Sequence, residues 1–335
     1  MAASKENPKY TVKIKDGSTT YDVTPTLTNM DFSDQSSQMA QSVTITLMNV
    51  KVNKKNLSSL IKLRQRVFIS ANDGEKKGEV FRGWIWSMNY DASTDAKEII
   101  FKCYDNLMYL QESEDSFFFS KGKSTKEVMN SIFKKWGVKH KFTYSSITHA
   151  KLVLRGDLSN IITADVLDLV KDKTGDKYVI TSKKDVVNIA KVGTNSTVYK
   201  ITNKKNAIKV LKEQSMDGMI TKVVIVGKKD DSEKLPVEAT VKGNTSKYGT
   251  LQKILDRDSD TSLAKAKKEA KNIIKENGKP SWEAEIRTAD IPWIRKGDKV
   301  YVDAGGISKK ELIVINVSRS ISNKAKTMTL DVEKP

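Results

Sequence analysis

The sequence SLAKAKKEAKNIIKENGKP, residues 262–280, opens the segment on which the fold prediction rests, residues 257–335. Its apolar side chains recur at helical spacing, and lysines occupy the opposite side. The apolar positions are Leu263, Ala266, Ala270, Ile273 and Ile274. Gly278 followed by Pro280 is typical of the end of a helix. The pattern predicts an amphipathic helix over residues 262–277, with one dry face and one solvated face.

The rest of this segment reads as β-strands. Trp282, Ala284 and Ile286 alternate with charged residues, which is typical of a strand with one buried face. Three further runs follow, separated by glycine and polar turns: KVYVD (299–303), ELIVINV (311–317) and TMTLDV (327–332). We therefore expect a helix that packs against a small, strongly paired sheet or barrel.

The first third of the chain also alternates as strands, as in Tyr10, Val12 and Ile14 before an Asp16-Gly17 turn. The longest run is VFRGWIWSMNY, residues 80–90. One side of that strand carries Trp84, Trp86, Met88 and Tyr90, and the other carries Phe81, Gly83 and Ile85. Large exposed apolar patches are rare on monomers, so the pattern favours burial in a core, with contact to a partner as the alternative. Residues 97–105 are its expected hairpin partner.

From about residue 112 the pattern changes to mixed α and β. Ser124 and Glu127 have the spacing of a capping box, and a second helix is expected near residues 163–170. A strand pair then follows, formed by residues 177–180 and 185–189. The predicted fold class is α+β, mainly β. Its domains are residues 1–113 (β), 114–203 (an α/β insert) and 204–335 (β, with the helix 262–277).

The length and composition of the chain limit the kinds of protein that it can be. At 335 residues the chain is long enough for two or three domains. No run approaches the ~20 apolar residues that a membrane span needs, and the first residues lack the apolar region of a signal peptide. We therefore expect a soluble chain with no membrane span and no secretion signal. The single cysteine, Cys103, lies in a strand-like run and is expected in a core.

The net charge is +18, which raises nucleic acid or an anionic surface as a partner. Nearly all of the excess is lysine spread over the chain, whereas bidentate recognition of phosphate and guanine favours arginine. The composition favours a solvated lysine-rich surface. A basic patch that faces an acidic protein partner, and a nucleic-acid site, remain the alternatives.

Three local patterns resemble a phosphate, calcium or metal site, but each lacks residues that such a site needs. Gly122-Lys-Ser-Thr125 matches half of a phosphate-binding loop, but the first glycine of that loop would fall on Phe117. Asp256, Asp258 and Asp260 start like a calcium loop, but Thr261 and Lys267 stand where glycine and glutamate are needed. The two histidines, His140 and His149, have no cysteine partner or metalloprotease spacing. We therefore expect no enzyme, no catalytic residue, no metal and no cofactor.

Several stretches together resemble the baseplate hub proteins of contractile-tailed phages, prophages and phage-tail-like bacteriocins, in particular the late-control-protein-like hubs of Gram-positive prophages. The order and spacing of these stretches carry the resemblance, because none holds catalytic residues. They are residues 80–88, 101–110, 156–162 with the following helix and 177–180, 248–252, the helix 262–276, and 295–302.

The resemblance implies two β-barrel or sandwich domains similar to the tail tube, separated by the α/β insert. It implies a homotrimeric ring that adapts a six-fold tube to a three-fold spike and nucleates tube assembly. The implied partners are the central spike protein, the tail tube protein or a tube initiator, the tape-measure protein and the baseplate wedge proteins. Such a particle is assembled in the bacterial cytoplasm and is extracellular after release. Some hub relatives carry a fused lysozyme or peptidase domain, which we do not expect here.

The candidate subunit or partner contacts are the side chains of the long strand and of a phenylalanine cluster: Trp84, Trp86, Met88, Tyr90, Phe117, Phe118 and Phe119. Core packing is the favoured alternative for both groups. Two other function classes stay open. One is a lysine-rich β protein that binds nucleic acid or an anionic cell-wall polymer, which predicts binding with a steep salt dependence. The other is a cell-wall hydrolase, which predicts peptidoglycan turnover.

Overall fold

The structure is a computed structural model that describes residues 7–52, 54–89, 97–143, 146–227, 236–257 and 261–335. The helices are α1 (Leu57–Leu60), α2 (Met108–Gln111), α3 (Thr125–Lys135), α4 (Leu158–Ile162), α5 (Asp168–Thr174), α6 (Thr245–Tyr248) and α7 (Leu263–Asn277). A 3₁₀ turn (Thr24–Thr26) and a π-helical turn between α4 and α5 (Thr163–Leu167) complete the helical elements of these ranges.

The strands from the first half of the chain are β1 (Lys9–Asp16), β2 (Thr19–Asp22), β3 (Leu27–Asp34), β4 (Ser42–Met48), β5 (Lys51–Val52), β6 (Lys55–Asn56), β7 (Arg66–Asn72), β8 (Lys77–Asn89), β9 (Glu98–Tyr104), β10 (Glu114–Phe119), β11 (His140–Thr143) and β12 (Leu152–Asp157). The remaining strands are β13 (Tyr178–Lys183), β14 (Val186–Lys191), β15 (Tyr199–Thr202), β16 (Ala207–Ser215), β17 (Lys222–Val226), β18 (Val237–Lys242), β19 (Gln252–Asp256), β20 (Ser281–Ala289), β21 (Lys299–Ala304), β22 (Ile307–Ser322) and β23 (Lys326–Glu333). The prediction of a mainly β fold is confirmed.

The chain forms two compact units. Unit 1 contains residues 1–211 and 284–335, and unit 2 contains residues 212–283. The chain passes between them within β16 and within β20. The division into domains at 1–113, 114–203 and 204–335 stays a prediction.

One sheet of 13 strands dominates unit 1. Its main path runs β16-β20-β23-β22-β3-β4-β9-β8-β7-β1-β2, and β21 joins β22 from the side together with β15. β22 has 16 residues and pairs with three strands: β23, β21 and β3. The pairing of β22 with β3 is antiparallel, with Val317 opposite Asp34 and Ser322 opposite Asn29. Strands from the two ends of the chain therefore belong to one sheet.

The first core of unit 1 is built by the predicted alternation. Val12 and Ile14 of β1 face it, together with Val43, Ile45 and Leu47 of β4. Cys103 is buried in the same core, as expected from its strand setting, and burial raises the pKa of its thiol. The predicted hairpin of β8 with β9 is confirmed by an antiparallel register that places Ile85 opposite Cys103.

The second core of unit 1 is built mostly from residues 114–203, joined by Met39, Ala40, Leu107, Met108 and Leu110. Ser124 caps α3 in a complete capping box with Glu127, as predicted from their spacing. The second predicted helix is present as α4, the π-helical turn and α5, which ends at Gly175 in the left-handed conformation. The predicted strand pair is the antiparallel hairpin of β13 and β14. Sequence alternation did not predict that β11 adds to β14 in parallel.

Unit 2 is a three-stranded sheet of order β18-β17-β19 that packs against α7. The apolar face of α7 buries Ala266 and Ala270 against Val223 and Ile225 of β17. The helix begins after the N-cap Ser262 and ends at Asn277, within the predicted bounds. The sequence prediction has no counterpart to β19. The expectation that α7 packs on a sheet of the strands that follow it is wrong, because β20 to β23 belong to the 13-stranded sheet. In the described ranges, no helix is long and apolar enough to cross a membrane.

Gly83 provides a test of the contact between β8 and β9. A Cβ atom at this position would lie 2.2 Å from the backbone oxygen of Tyr104, so any side chain must push the two strands apart. We expect Gly83→Ala to lower the free energy of unfolding by about 1–3 kcal/mol, measured by denaturant unfolding. Gly78→Ala in the same strand is the matched control, because its Cβ would meet only the Trp293 ring at 3.5 Å. Equal losses in the two variants would contradict this assignment.

Candidate interaction surfaces and a buried ionic junction

Trp84 and Trp86 of β8 are both half-buried and contact other aromatic rings. The Trp84 ring lies 6.4 Å from that of Tyr109, and the Arg66 guanidinium lies over it at 4.2 Å from the centroid. Trp86 lies 5.3 Å from Tyr109 and 6.1 Å from Tyr104, and it packs against the second core. The two tryptophans therefore pack on neighbouring side chains of unit 1, and only part of each ring is exposed to solvent.

Simple alternation predicts Met88 on the same face of β8 as Trp84 and Trp86, but it lies on the opposite face. The register with β9 shifts between Ile85 and Ser87, because a bulge at this point adds one residue to β8. Met88 thus comes opposite Phe101 and packs against the first core, on the same face as Ile85. Tyr90, the fourth predicted residue of this stripe, lies outside the described residues.

Phe117, Phe118 and Phe119 of β10 alternate between two environments. Phe117 and Phe119 stack on each other at 6.0 Å and pack against the second core. Phe118 points the other way, where 66% of its surface is exposed, and it stands directly opposite Val153 of β12, which is 71% exposed. Lys151 lies over the Phe118 ring at 5.5 Å. Phe118 and Val153 therefore form one exposed apolar spot, which we call the Phe118–Val153 face.

A buried ionic junction lies where β3 ends. Asp34 is fully buried and accepts a hydrogen bond from Arg295 Nε at 2.6 Å, and Lys296 Nζ lies 3.5 Å from its other oxygen. Lys296 also donates to the carbonyl oxygens of Gln35 (3.0 Å) and Met39 (3.1 Å). Burial alone would raise the pKa of Asp34, but the two cations outweigh it and hold the pKa below its usual value. The junction therefore favours the ionised carboxylate.

A second buried ion pair stands on the same sheet. Arg319 of β22 lies 3.2 Å from Asp290, which accepts a hydrogen bond from the Tyr10 hydroxyl of β1. Arg319 also donates to the carbonyl oxygen of Ile294. Burial and the neighbouring carboxylate raise the pKa of Tyr10, so its hydroxyl stays protonated as the donor. This pair connects the first strand of the chain to the loop that precedes β21.

Asp105 is a buried carboxyl group near the junction whose charged form is disfavoured by burial. It is buried, and it accepts hydrogen bonds from the backbone N–H groups of Leu107 (3.0 Å) and Gln41 (3.3 Å). Burial raises the pKa of Asp105 to about 7, against the opposing effects of Arg295 and these N–H groups. Asp105 therefore titrates near neutral pH, whereas Asp34 stays ionised.

The patterns that suggested metal or phosphate chemistry have structural partners. Ser124 is the N-cap of α3, and His149 is buried with Nε2 at 2.9 Å from the Thr125 hydroxyl. Burial, and then the charge of Lys173, lowers the pKa of His149. Asp258 and Asp260 of the calcium-like run lie outside the described residues. Among the residues that the structure describes, no three His, Cys, Asp or Glu side chains could hold a metal ion together.

Sequence reasoning missed Val153 and the ionic junction. Val153 sits in a short run with no alternation of its own, and only its pairing with Phe118 gives it significance. The segment Arg295–Asp298 was noticed for its resemblance to hub proteins, but its buried partner is 261 residues away in the chain. No local pattern links two such positions.

Comparisons with known proteins agree with this architecture. The family model described as YQBQ-like matches residues 30–333. The phage-like element PBSX protein XkdQ of Bacillus subtilis strain 168 is 23% identical over 281 residues, which cover 80% of this chain and 83% of that protein. The resemblance to baseplate-type phage proteins is confirmed.

Solved structures share the fold over almost the whole chain. The 43 kDa tail protein of prophage MuSo2 from Shewanella oneidensis has a TM-score of 0.70 at 16% identity, with 98% of this chain and 99% of that chain covered. A tail protein from Neisseria meningitidis MC58 has a TM-score of 0.68 at 13% identity, with 97% and 96% covered. The E. coli c3393 protein, described as a type VI secretion component that resembles the T4 tail proteins gp27 and gp5, has a TM-score of 0.58 at 10% identity, with 97% and 76% covered.

The ionic junction predicts a large effect of Asp34. We expect Asp34→Ala to lower the free energy of unfolding by about 3–5 kcal/mol, because it leaves Arg295 and Lys296 buried without their counter-charge. Asp31→Ala is the matched control on the same strand, since Asp31 is exposed, and its loss should stay within about 0.5 kcal/mol. Denaturant unfolding of both variants checks this. A loss for Asp34→Ala as small as that of the control would show that the junction contributes little.

Asp105 predicts a pH dependence of stability. Its pKa is higher in the folded chain than in the unfolded chain, so the folded state binds the proton more tightly. Its contribution to stability is therefore full below the unfolded pKa and is lost as the pH rises through about 7. Between pH 8 and pH 5 the free energy of unfolding should gain on the order of 2 kcal/mol from this group.

Asp105→Asn should reduce that gain, which denaturant unfolding at a series of pH values measures. Asp31→Asn is the control, because it removes the same charge at an exposed position of the 13-stranded sheet, and its pH profile is compared with that of Asp105→Asn. Identical pH profiles for wild type and Asp105→Asn would contradict the assignment.

Proposed function

The chain belongs to the YQBQ-like family, and from this membership and the prophage tail fold we propose that it is the structural hub of a contractile-tail baseplate. The observation that carries the proposal is the extent of the match. The family model covers residues 30–333, and the tail-protein fold covers 98% of the chain. A structural role in a phage tail is the coarser statement that these findings support.

In the proposed hub, residues 1–113 and 204–335 supply two β domains similar to the tail tube, and residues 114–203 separate them. Three chains then form a closed ring with six such domains. A three-fold ring of six similar domains presents six-fold contacts on one side and three-fold contacts on the other. The ring therefore adapts a six-fold tube to a three-fold spike.

We propose four partners, which are those that the resemblance to baseplate hub proteins implies. The upper face of the ring nucleates the tail tube protein or a tube initiator, and the lower face seats the central spike protein. The channel holds the end of the tape-measure protein, and wedge proteins attach around the outside. The particle is assembled in the bacterial cytoplasm and leaves the cell on release. The role is mechanical, without catalysis by this chain.

Two features of unit 1 support subunit or partner contacts. The first is the Phe118–Val153 face, which presents two adjacent apolar side chains on a two-stranded sheet. The second is β16, a terminal strand of the large sheet in the described ranges, where Ile208 and Leu211 are 57% and 47% exposed. Exposed apolar groups and strand edges are costly to leave in water and are commonly covered by another chain.

Of the residues that the sequence suggested as contacts, Phe118 is the one that we propose at a subunit interface. The other described candidates contact the cores or neighbouring rings: Trp84, Trp86, Met88, Phe117 and Phe119. The subunit interface of a trimer is heterologous, so the Phe118–Val153 face would meet a different patch of the next chain.

The ring predicts a mass of three times 37.5 kDa for the chain alone, or that mass plus the spike for a complex with the cognate spike protein, measured by light scattering. Phe118→Asp should shift the mass towards the monomer, because it places a charge in an apolar contact. Leu169→Asp is the matched control, since this leucine is an exposed apolar residue on α5 of the same insert. It should leave the mass unchanged.

Two outcomes separate the parts of this proposal. A wild-type chain that stays monomeric with and without the spike protein would contradict the ring. A trimer that survives Phe118→Asp would leave the ring in place and would exclude the Phe118–Val153 face as its contact.

A further inference from the structure

An open groove of about 560 Å³ on unit 1 combines cations with apolar surface. Its walls come from the β1–β2 turn, the loop before β7, strand β8 and the turn between β13 and β14. Its cationic side chains are Lys15, Lys62, Arg64, Arg66 and Arg82, and its carboxylates are Asp16 and Asp185. The cations therefore outnumber the carboxylates.

The inner wall of the groove is fixed by two arginines that share one carboxylate. Arg66 donates to both oxygens of Asp185 at 2.8 and 2.7 Å, and Arg82 donates to the same carboxylate at 3.2 Å. The Arg66 guanidinium covers the Trp84 ring at 4.2 Å, and that of Arg82 lies 5.1 Å from the Phe68 centroid. Ion pairing and stacking together hold these planar groups in place.

The outer rim of the groove is a loop held in one conformation by Gln65. This buried side chain donates to the carbonyl oxygen of Leu60 at 2.9 Å and accepts from the backbone N–H of Lys62 at 2.9 Å. The backbone N–H of Arg64 donates to the carbonyl oxygen of Ile85 at 2.8 Å. The rim is therefore built before any ligand arrives.

Arg64 adopts the left-handed conformation, with φ of +64°, which disfavours any residue with a side chain. Glycine would fit this position without strain, so the presence of arginine is a cost that a use of its side chain would offset. The same loop exposes Lys62 and 59% of Leu63. Within the described ranges, no ion pair joins Lys15, Lys62 or Arg64 to a carboxylate.

We propose that this groove binds an acidic segment of a partner protein. Carboxylates of the segment pair with Lys15, Lys62 and Arg64, and one apolar side chain of the segment packs on Leu63. The groove favours a peptide over nucleic acid, because its aromatic rings, Trp84 and Phe68, are covered by Arg66 and Arg82 where a base would stack. The exposed leucine also matches an apolar side chain better than a phosphate. This inference does not depend on the trimeric ring.

The test uses the full chain and a fluorescein-labelled peptide of sequence EDLDED, with binding measured by fluorescence anisotropy at low and physiological salt. The variant combines Lys15→Gln, Lys62→Gln and Arg64→Gln. We expect it to bind the peptide at least about tenfold more weakly, because it removes three charge-assisted contacts. The control combines Lys267→Gln, Lys268→Gln and Lys271→Gln on the exposed face of α7, which removes the same charge elsewhere and should change binding less than about twofold.

The variant Arg64→Gly tests whether weaker binding comes from loss of the side chain or from loss of folding. Glycine relieves the left-handed backbone, so the melting temperature should stay the same or rise while peptide binding falls. Equal weakening by the groove variant and the α7 control would overturn the proposal, as would a wild-type chain that does not bind the peptide. Tighter binding of a single-stranded oligonucleotide of equal charge, lost in the groove variant, would also overturn it and assign the groove to nucleic acid.

Discussion

The pairing of β22 with β3 is the constraint on which unit 1 depends. It joins residues 317–322 to residues 29–34, so the first core and the last strands of the chain share one sheet. Contacts between such distant segments must offset a large loss of chain entropy before they add stability. Asp34 stands at the end of this pairing and meets Arg295 from the loop between β20 and β21. The long-range register and the ionic junction therefore depend on each other.

A buried ion pair between two segments costs free energy, since both charges lose their hydration. Its benefit here is selectivity. A slip of β3 by one residue would turn Asp34 to the opposite face and leave Arg295 and Lys296 without a counter-charge. A purely apolar junction would tolerate such a slip more easily. Tyr10, Asp290 and Arg319 add a second constraint of the same kind, which fixes β1 against the C-terminal strands.

The sequence predictions are accurate for features that depend on residues close together in the chain, and they fail for features that depend on residues far apart. The capping box at Ser124, the bounds of α7 and the hairpin of β8 with β9 depend on nearby residues, and all three are confirmed. The parallel addition of β19 to β17 and the pairing of β22 with β3 depend on segments far apart, for which no local signal exists. The described candidate contact residues are all large and apolar, but the structure places them in different environments, which residue type alone does not distinguish. The bulge near Trp86, which moves Met88 into the first core, is visible only in the pairing of β8 with β9.

Exposure in this protein is decided by strand face and register more than by hydrophobicity. Phe117 and Phe119 are as apolar as Phe118, yet they pack against the second core while Phe118 faces water beside Val153. Two adjacent apolar side chains bury only a small area, too little to hold two chains together by themselves. In a closed ring the same contact recurs at every interface, and each interface can be weak because a subunit leaves only when both of its interfaces break. A small exposed face is therefore compatible with a stable assembly, provided that the assembly is cyclic.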